Sequence, residues 1–223
     1  MRRLPSLCLI AVLLSACAPK VSAPVDVTSS PAFTPIPTFT SVPLATPTSY
    51  ASLGTVALDF IALLCNAQWL NGGQHLTPCP SSGSDNSGGY AAVIDPLSEG
   101  LPAGTPLLLT IPAWNGYSSL FLRYPSFTVR AGDRFRTTLQ CRTNIPCDIE
   151  FALEYIDSYG VYHSLKTWDY KTGDAPILVD DDLSRLSDQT VEFALVLRLF
   201  HTLDTPQQDN GLWIAPHIYR PIK

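Results

Sequence analysis

Several features that mark common protein classes are missing from this sequence. It has no run of about 18 consecutive apolar residues, the length that a membrane-spanning helix needs. It has no cluster of lysine and arginine, and residues 52–223 carry 18 acidic but only 11 basic side chains, so we expect no nucleic-acid partner. The Gly-x-Ser-x-Gly and His-Glu-x-x-His motifs do not occur, and the four histidines are isolated. We therefore expect a protein that is not an enzyme, with no cofactor, although a hydrolase with an unrecognised site stays open.

The N-terminus has the composition of an export signal. Arg2 and Arg3 precede an apolar run from Leu4 to Leu14, which is too short to remain as a transmembrane helix. The run leads into Leu-Ser-Ala followed by Cys17, and this sequence resembles the lipobox of bacterial lipoproteins. The resemblance implies that Cys17 is lipidated, becomes the N-terminus after cleavage and anchors the chain to a membrane on its extracytoplasmic side. An ordinary secretory signal that is cleaved nearby is the alternative.

The segment after Cys17 is typical of a disordered tether. It is rich in serine and threonine and contains Pro19, Pro24, Pro31, Pro35, Pro37, Pro43 and Pro47. Proline at this density blocks helix formation, and the few apolar residues cannot offset the entropy of ordering. We therefore divide the chain into a signal peptide at 1–16, a lipidated linker at 17–51 and one folded domain at 52–223.

The cysteines of the folded domain are even in number, as expected for an exported protein. Cys65, Cys79, Cys141 and Cys147 allow three pairings. We favour Cys65–Cys79 and Cys141–Cys147 because each bond closes a short polar loop. A four-cysteine zinc site is the weaker alternative, since no Cys-x-x-Cys pair occurs.

The folded domain shows the pattern of an all-β protein, an antiparallel β-sandwich of jelly-roll type. Short runs rich in branched and aromatic residues alternate with turns that contain glycine, proline or aspartate. The predicted strands are 90–95, 106–111, 119–124, 127–130, 134–141, 148–156, 161–168, 177–181, 190–200 and 212–219. Residues 52–64 have helical spacing of apolar side chains but could equally form a first strand, and a brief turn is expected at 183–187.

The disulfide between Cys141 and Cys147 also suggests a hairpin. If strands 134–141 and 148–156 pair with each other, Arg134 faces Glu154 and Thr138 faces Glu150, while the alternate residues form an apolar face. Basic residues opposite or diagonal to both glutamates favour a solvated sheet face over a glycosidase acid pair.

The aspartates 180–182 could ligate a structural calcium ion, because hard cations prefer several oxygen ligands. Neighbours on a strand point to opposite faces, however, so three consecutive carboxylates converge only if the backbone bends. We favour a strand end at which Asp182 caps the turn that follows.

The last third of the chain carries a family resemblance. A segment from Val179 through Leu183-Ser184, Leu186 and Gln189 to Phe193 leads into an apolar strand, and Leu212-Trp213-Ile214 begins the last one. This order is similar to the closing half of galactose-binding-like jelly-roll domains, including carbohydrate-binding modules. The resemblance implies a sandwich that binds glycans through loops at one end, sometimes with a structural calcium. None of that family's ligand residues can be matched to positions in this chain.

Two groups of residues are our candidates for contacting a ligand. They combine aromatic rings, which can stack on sugar C–H faces, with polar neighbours that can reach hydroxyl groups: Trp114, Asn115 and Tyr117, and Trp168, Asp169 and Tyr170. The alternative for each ring is a place in the core or over an end of the sandwich, and we assign Trp213 to the core. We predict a membrane-anchored lipoprotein whose sandwich binds a ligand such as a glycan, with a protein-interaction module of the cell envelope as the alternative.

Overall fold

The strands predicted from the sequence are present. The computed structural model describes residues 54–71, 75–76, 89–112, 119–200 and 209–222. Within these ranges, every one of the ten predicted strands is found with its ends shifted by three residues or fewer. Residues 54–59 form a strand, not the helix that their apolar spacing also allowed. The strands are β1 (Gly54–Asp59), β2 (Gln68–Asn71), β3 (His75–Leu76), β4 (Tyr90–Val93), β5 (Leu107–Ile111), β6 (Ser119–Arg123), β7 (Phe127–Thr128), β8 (Arg134–Cys141), β9 (Asp148–Ile156), β10 (Tyr162–Lys171), β11 (Ile177–Asp182), β12 (Thr190–Leu199) and β13 (Gly211–Pro221).

These strands form two antiparallel sheets packed as a β-sandwich, as predicted. The six-stranded sheet has the order β11-β8-β13-β5-β4, with β1 also paired to β13. The seven-stranded sheet has the order β10-β9-β12-β6-β2-β3, with β7 also paired to β12. Short 3₁₀ helices lie at Leu64–Asn66, Pro96–Glu99 and Ser184–Leu186. No helix in the described ranges has the length and apolar character to cross a membrane.

The main core lies between the two sheets and is built from alternate residues of each strand. Phe135 and Leu139 of β8 face Phe151 and Leu153 of β9 across the interior, and all four are at most 1% exposed. Trp213 is fully buried, as predicted, with its ring centroid 5.0 Å from that of Phe151 in an edge-to-face arrangement. This alternation of buried and exposed positions is what a half-buried strand requires.

The first part of the described chain packs into the core of the sandwich through the ring of Phe60. Phe60, which follows β1, is fully buried and packs edge-to-face against Tyr124 at 4.7 Å and Phe135 at 5.6 Å. Trp69 of β2 is also buried, and its indole nitrogen donates a hydrogen bond to the carbonyl of Leu64 at 3.1 Å. Trp69 is therefore a core residue.

The disulfide between Cys141 and Cys147 is confirmed, with a Cα–Cα distance of 6.4 Å. The hairpin register inferred from it is wrong. Strand β8 pairs with β11 and β13, whereas β9 pairs with β10 and β12, so the chain passes from one sheet to the other between these cysteines. Cys65 is disulfide-bonded too, and its predicted partner Cys79 lies outside the described residues.

The charges assigned to that hairpin find other partners. Arg134 and Arg136 both donate to the Asp180 carboxylate on the neighbouring strand β11, at 2.5 and 3.1 Å. Partial burial of Asp180 opposes ionisation, but the two arginine hydrogen bonds outweigh it and lower the pKa of this carboxyl. The glutamates of β9 are paired within the seven-stranded sheet instead.

Strand alternation directs Asp180 and Asp182 to the outer face of β11 and Asp181 to the inner face. Asp180 lies on the outer face with its arginines, whereas Asp182 accepts hydrogen bonds from the backbone and side chain of Ser184 at 2.9 and 2.6 Å. These bonds lower the pKa of Asp182 and hold the start of the predicted turn. The three carboxylates therefore do not converge on one cation.

One buried hydroxyl group of the core lacks a hydrogen-bond partner among the described residues. Tyr124 is 1% exposed, its hydroxyl is unpaired, and burial raises its pKa. We predict that Tyr124→Phe increases the free energy of unfolding by about 1 kcal/mol, because the variant no longer buries an unsatisfied polar group. Chemical denaturation measures the change.

Tyr170→Phe is the matched control. The Tyr170 hydroxyl donates a 2.7 Å hydrogen bond to the carbonyl of Asp174, so the same change there removes a bond and should lower stability. Equal destabilisation by both substitutions would show that Tyr124 has a partner.

Candidate functional site

The outer face of the seven-stranded sheet is apolar at its centre, although it points away from the core between the sheets. Ala152 and Ile156 of β9 and Ala194 and Val196 of β12 form a hydrophobic cluster that is separate from the main core and at most 1% exposed. We call these four residues the outer patch. A sheet that covers only one core has polar residues at such positions, so the outer patch indicates that side chains cover this face as well.

The sequence accounts for this burial through small residues. Residues 193 to 197 of β12 are all apolar and buried, and such continuous apolar runs are typical of strands covered on both faces. Alanine at 152 and 194 is small enough for longer neighbouring side chains to cover both positions, and both are fully buried.

Neighbouring strands extend an apolar row across this face. Val196 pairs with Ala152 of β9 on one side and with Phe121 of β6 on the other, and Phe121 pairs with Leu70 of β2. Phe121 packs against the outer patch and is partly exposed. Four strands from the middle of the sheet thus contribute to one continuous apolar row that runs perpendicular to them.

Arg198 occupies the row next to this one together with Glu150, whereas Glu154 lies in the row on the other side, opposite Ala194. Its guanidinium donates to Glu150 at 2.7 Å and also to Glu154, and it lies 5.4 Å from the centroid of the Phe121 ring. Burial alone would lower the pKa of Arg198, but its hydrogen bonds with the two glutamates outweigh burial and raise it. The cation is therefore fixed over an aromatic ring by two carboxylates.

A second arginine flanks the apolar row on its other side. Arg123 of β6 pairs with the carboxylate of Glu192 of β12, and this hydrogen bond raises the pKa of Arg123. Tyr162 of β10 contributes to the same rise, so its hydroxyl lies close to the guanidinium. Donors and acceptors with fixed positions thus lie on both sides of the apolar row, and the ion pair between Arg198 and Glu154 crosses it.

Tyr162 reaches across the outer patch from the edge of the sheet. Strands β10 and β6 are three positions apart, which corresponds to about 14 Å at ~4.8 Å per strand. The rings of Tyr162 and Phe121 nevertheless approach to 6.4 Å, edge to face, and Tyr162 is 44% exposed. The two side chains therefore lean towards each other over the outer patch and present aromatic surface to solvent.

The arrangement of the two glutamates does not suit glycoside hydrolysis. A general acid must be held protonated and must face a second carboxylate across the substrate. Glu150 and Glu154 instead lie on the same face of one strand, with Ala152 between them, and share one guanidinium. Sequence analysis discounted the acid pair as well, but it assigned the basic partners to the wrong strand.

The ligand residues predicted from the sequence lie away from the outer patch or outside the described residues. Trp114, Asn115 and Tyr117 lie outside the described residues. Trp168 is partly buried against Phe135, with ring centroids 6.3 Å apart, and Tyr170 is 5% exposed.

Strand β10 continues to Lys171, so Trp168 and Tyr170 are alternate residues that point inward. Of the three predicted residues on this strand, Asp169 is the one exposed on the outer face, opposite Glu150. The rings of Trp168 and Tyr170 thus have the core position that the sequence left open as an alternative.

A cavity of about 390 Å³ lies beside the loop that the disulfide closes. Its walls are residues 141–146 on one side and Tyr170, Thr172 and Gly173 on the other. Glu99 holds the loop by accepting hydrogen bonds from the Arg142 side chain and the Thr143 amide, both at 2.8 Å. This cavity contains one predicted ligand residue, Tyr170, but offers less aromatic surface than the outer face.

Sequence reasoning missed Phe121, Tyr162, Arg123 and Arg198 as site residues. The available signal was the apolar run of β12, which is uninterrupted where a sheet facing solvent on one side should alternate. No group of three or more histidine, cysteine, aspartate or glutamate side chains in the described part of the chain is arranged to hold a metal ion.

Comparison with known proteins found similarity in structure only. No family model matches the sequence, and no curated protein matches it. Among solved structures, the chain is similar to TmCBM61 in complex with β-1,4-galactotriose, with 10% identity, a TM-score of 0.44 and coverage of 74% of this chain and 99% of that one. It is also similar to the CBM22-1 xylan-binding domain of Paenibacillus barcinonensis Xyn10C, with 11% identity, a TM-score of 0.43 and coverage of 77% and 99%. At these TM-scores, neither similarity assigns a family or a ligand to this chain.

We predict that the Arg198 pairing contributes strongly to stability. Arg198→Met should lower the free energy of unfolding by about 3 kcal/mol, because Glu154, whose side chain is 8% exposed, would remain buried without its partner. Denaturant titration measures the loss, and the double variant Arg198→Met with Glu154→Gln should recover part of it.

Arg134→Met is the control for this prediction. It breaks an ion pair with Asp180 that is half exposed, and such pairs contribute about 1 kcal/mol or less. Similar small losses for both arginine variants would contradict a structural role for Arg198.

Proposed function

We propose that the sandwich is a non-catalytic module that binds a neutral glycan chain across the outer face of its seven-stranded sheet. The observation that carries the proposal is the combination of Phe121 and Tyr162, 6.4 Å apart, with Arg198 and Arg123 held in place by glutamates beside them. Sugar rings offer apolar C–H faces to aromatic side chains, and their hydroxyl groups both donate and accept hydrogen bonds.

The length of the outer face of the seven-stranded sheet suits an oligosaccharide more than a single sugar. From β10 to β2 the sheet measures about 19 Å, at ~4.8 Å for each of four strand spacings. The apolar row takes up three of these spacings, about 14 Å from β9 to β2 at ~4.8 Å per strand, with charged residues along both borders and the ion pair between Arg198 and Glu154 crossing it. A linear glycan that lies along the row can contact aromatic surface below and fixed polar groups at its sides.

We also propose that Cys17 anchors this module to a membrane. The support is the lipobox-like sequence that ends in Cys17 and the proline-rich segment that follows it. The anchored N-terminus would carry more than one acyl chain, which is the number that stable attachment requires. A protein anchored in this way would keep its folded domain outside the cytoplasm, and the linker would let that domain reach extended polymers.

The glycan proposal predicts a specific loss of retention. In affinity electrophoresis through gels that contain a galactan, a xylan, a β-glucan or a mannan, at least one polymer should retard the protein. Phe121→Ala and Tyr162→Ala should each weaken that retention by roughly tenfold, as expected for an aromatic residue at the centre of a binding surface.

Leu178→Ala is the matched control, since Leu178 is 84% exposed but lies on β11 of the other sheet. Thermal unfolding of each variant verifies that it is folded. Retention of folded Phe121→Ala and Tyr162→Ala at the level of the original protein, or no retardation by any of the four polymers, would rule out this surface as a glycan site.

The anchor proposal has its own test. In a bacterial host with a lipoprotein-processing pathway, the original chain should fractionate with membranes, and mass spectrometry should show an acylated Cys17. Cys17→Ser should remain unprocessed or appear in the soluble fraction, because the hydroxyl cannot accept the thioether-linked lipid. Cys8→Ser is the control, and an unmodified Cys17 in the mature protein would contradict the anchor.

A further inference from the structure

A small cavity lies where the edge strands of the two sheets meet, away from the proposed glycan surface. It measures about 190 Å³, is open to solvent, and is lined by β10 and its neighbour β9 on one side and by β11 and the turn after it on the other. Leu153, Leu165 and Leu183 form its apolar part. Its charged lining is Lys166 of β10 on one side and, on the other, Asp181 and Asp182 of β11 with Arg185 of the 3₁₀ helix that follows.

Asp181 is the unusual member of this set. It is the inward-pointing aspartate of the three in β11, and its Oδ2 atom is buried without a hydrogen-bond partner among the described residues. A buried acceptor on a carboxylate costs free energy unless a donor reaches it, and exceptions therefore call for an explanation. On either side, Asp180 accepts hydrogen bonds from two arginines and Asp182 accepts them from Ser184.

The local backbone opens this cavity. The pairing of β10 with β9 shifts register between Ser164 and Lys166, so Leu165 is an extra residue in the edge strand. Its carbonyl accepts a 2.8 Å hydrogen bond from Arg185, which ties the turn after β11 to the edge of the opposite sheet. Bulges of this kind often re-aim side chains beside binding sites.

Edge protection alone does not account for the arrangement. An inward-pointing lysine on an edge strand discourages edge-to-edge pairing of sheets, and Lys166 can serve that purpose. That role needs no opposing carboxylate with a buried, unsatisfied oxygen. Within the described ranges Lys166 makes no ion pair with Asp181, so both groups border the same space without neutralising each other.

We propose that this cavity binds a single small polyhydroxylated ring, such as a neutral monosaccharide or the end of a glycan. A ligand of either charge would meet a like charge on one wall, whereas hydroxyl groups can donate to Asp181 and accept from Lys166 and Arg185. The leucines provide an apolar surface for one face of the ring. The volume is below the roughly 300–1,000 Å³ of sites for drug-sized ligands, which limits the occupant to one small ring.

The test is a titration of the protein, labelled in its leucine methyl groups, with D-galactose, D-xylose and D-glucose through the millimolar range. NMR should show saturable shifts of the methyl groups of Leu153, Leu165 and Leu183 with at least one sugar. Asp181→Asn should weaken binding by roughly tenfold or more, because the amide nitrogen offers a donor where the ligand needs an acceptor. Lys166→Met should also weaken sugar binding.

Asp180→Asn is the matched control, since it changes the adjacent carboxylate on the opposite face and should leave the affinity within twofold. Asp181→Asn loses no hydrogen bond of the described structure, and a thermal unfolding curve checks that it is folded. No saturable shift with any of the three sugars, binding of glycine in their place, or equal loss in both asparagine variants would overturn the proposal.

The test separates this site from the outer face. Phe121→Ala should leave the monosaccharide titration unchanged, and Asp181→Asn should leave retention by polysaccharide gels unchanged. Failure of one site therefore says nothing against the other.

Discussion

The passage of the chain between the two sheets at residues 142–147 is the constraint on which the rest of the structure depends. The disulfide holds Cys141 and Cys147 with their Cα atoms 6.4 Å apart, while Glu99 binds the loop between them from one side. On the other side the Cys147 amide donates to the Thr172 hydroxyl at 2.6 Å. Because β8 and β9 leave this corner in different sheets, the arginines of β8 reach Asp180 and the glutamates of β9 reach Arg198.

The outer face follows from that separation of charge. With Glu150 and Glu154 in the seven-stranded sheet, Arg198 can lie over Phe121 with both of its carboxylate partners in place. The outer patch below Arg198 and Phe121 is apolar, and Tyr162 of the edge strand packs over it against the ring of Phe121. The outer face thus has two properties that the proposed glycan surface needs: Phe121 and Tyr162 supply aromatic contact area, and Arg198 with its two glutamates supplies polar groups of fixed orientation.

The strands were predictable from the sequence, but their partners were not. Alternation of polar and apolar residues shows which side chains of a strand face the core, and turns rich in glycine, proline and aspartate show where it ends. Neither signal identifies the neighbour. The basic residues of 134–136 and the acidic ones of 150–154 complement each other, yet Asp180 and Arg198 complement them equally well and are the actual partners. For the same reason Trp168 and Tyr170 were predicted at a ligand surface, because the sequence did not show that β10 continues past them.

The proposed glycan lies over the outer patch, and methyl NMR of the alanine and valine side chains tests this position most directly. We predict that an oligosaccharide from whichever polymer retains the protein shifts the methyl resonances of Ala152, Ala194 and Val196, since Tyr162 and Phe121 above them must adjust to a bound chain. Shifts confined to residues around the disulfide loop, such as Ile145, with the outer patch unchanged would contradict the account.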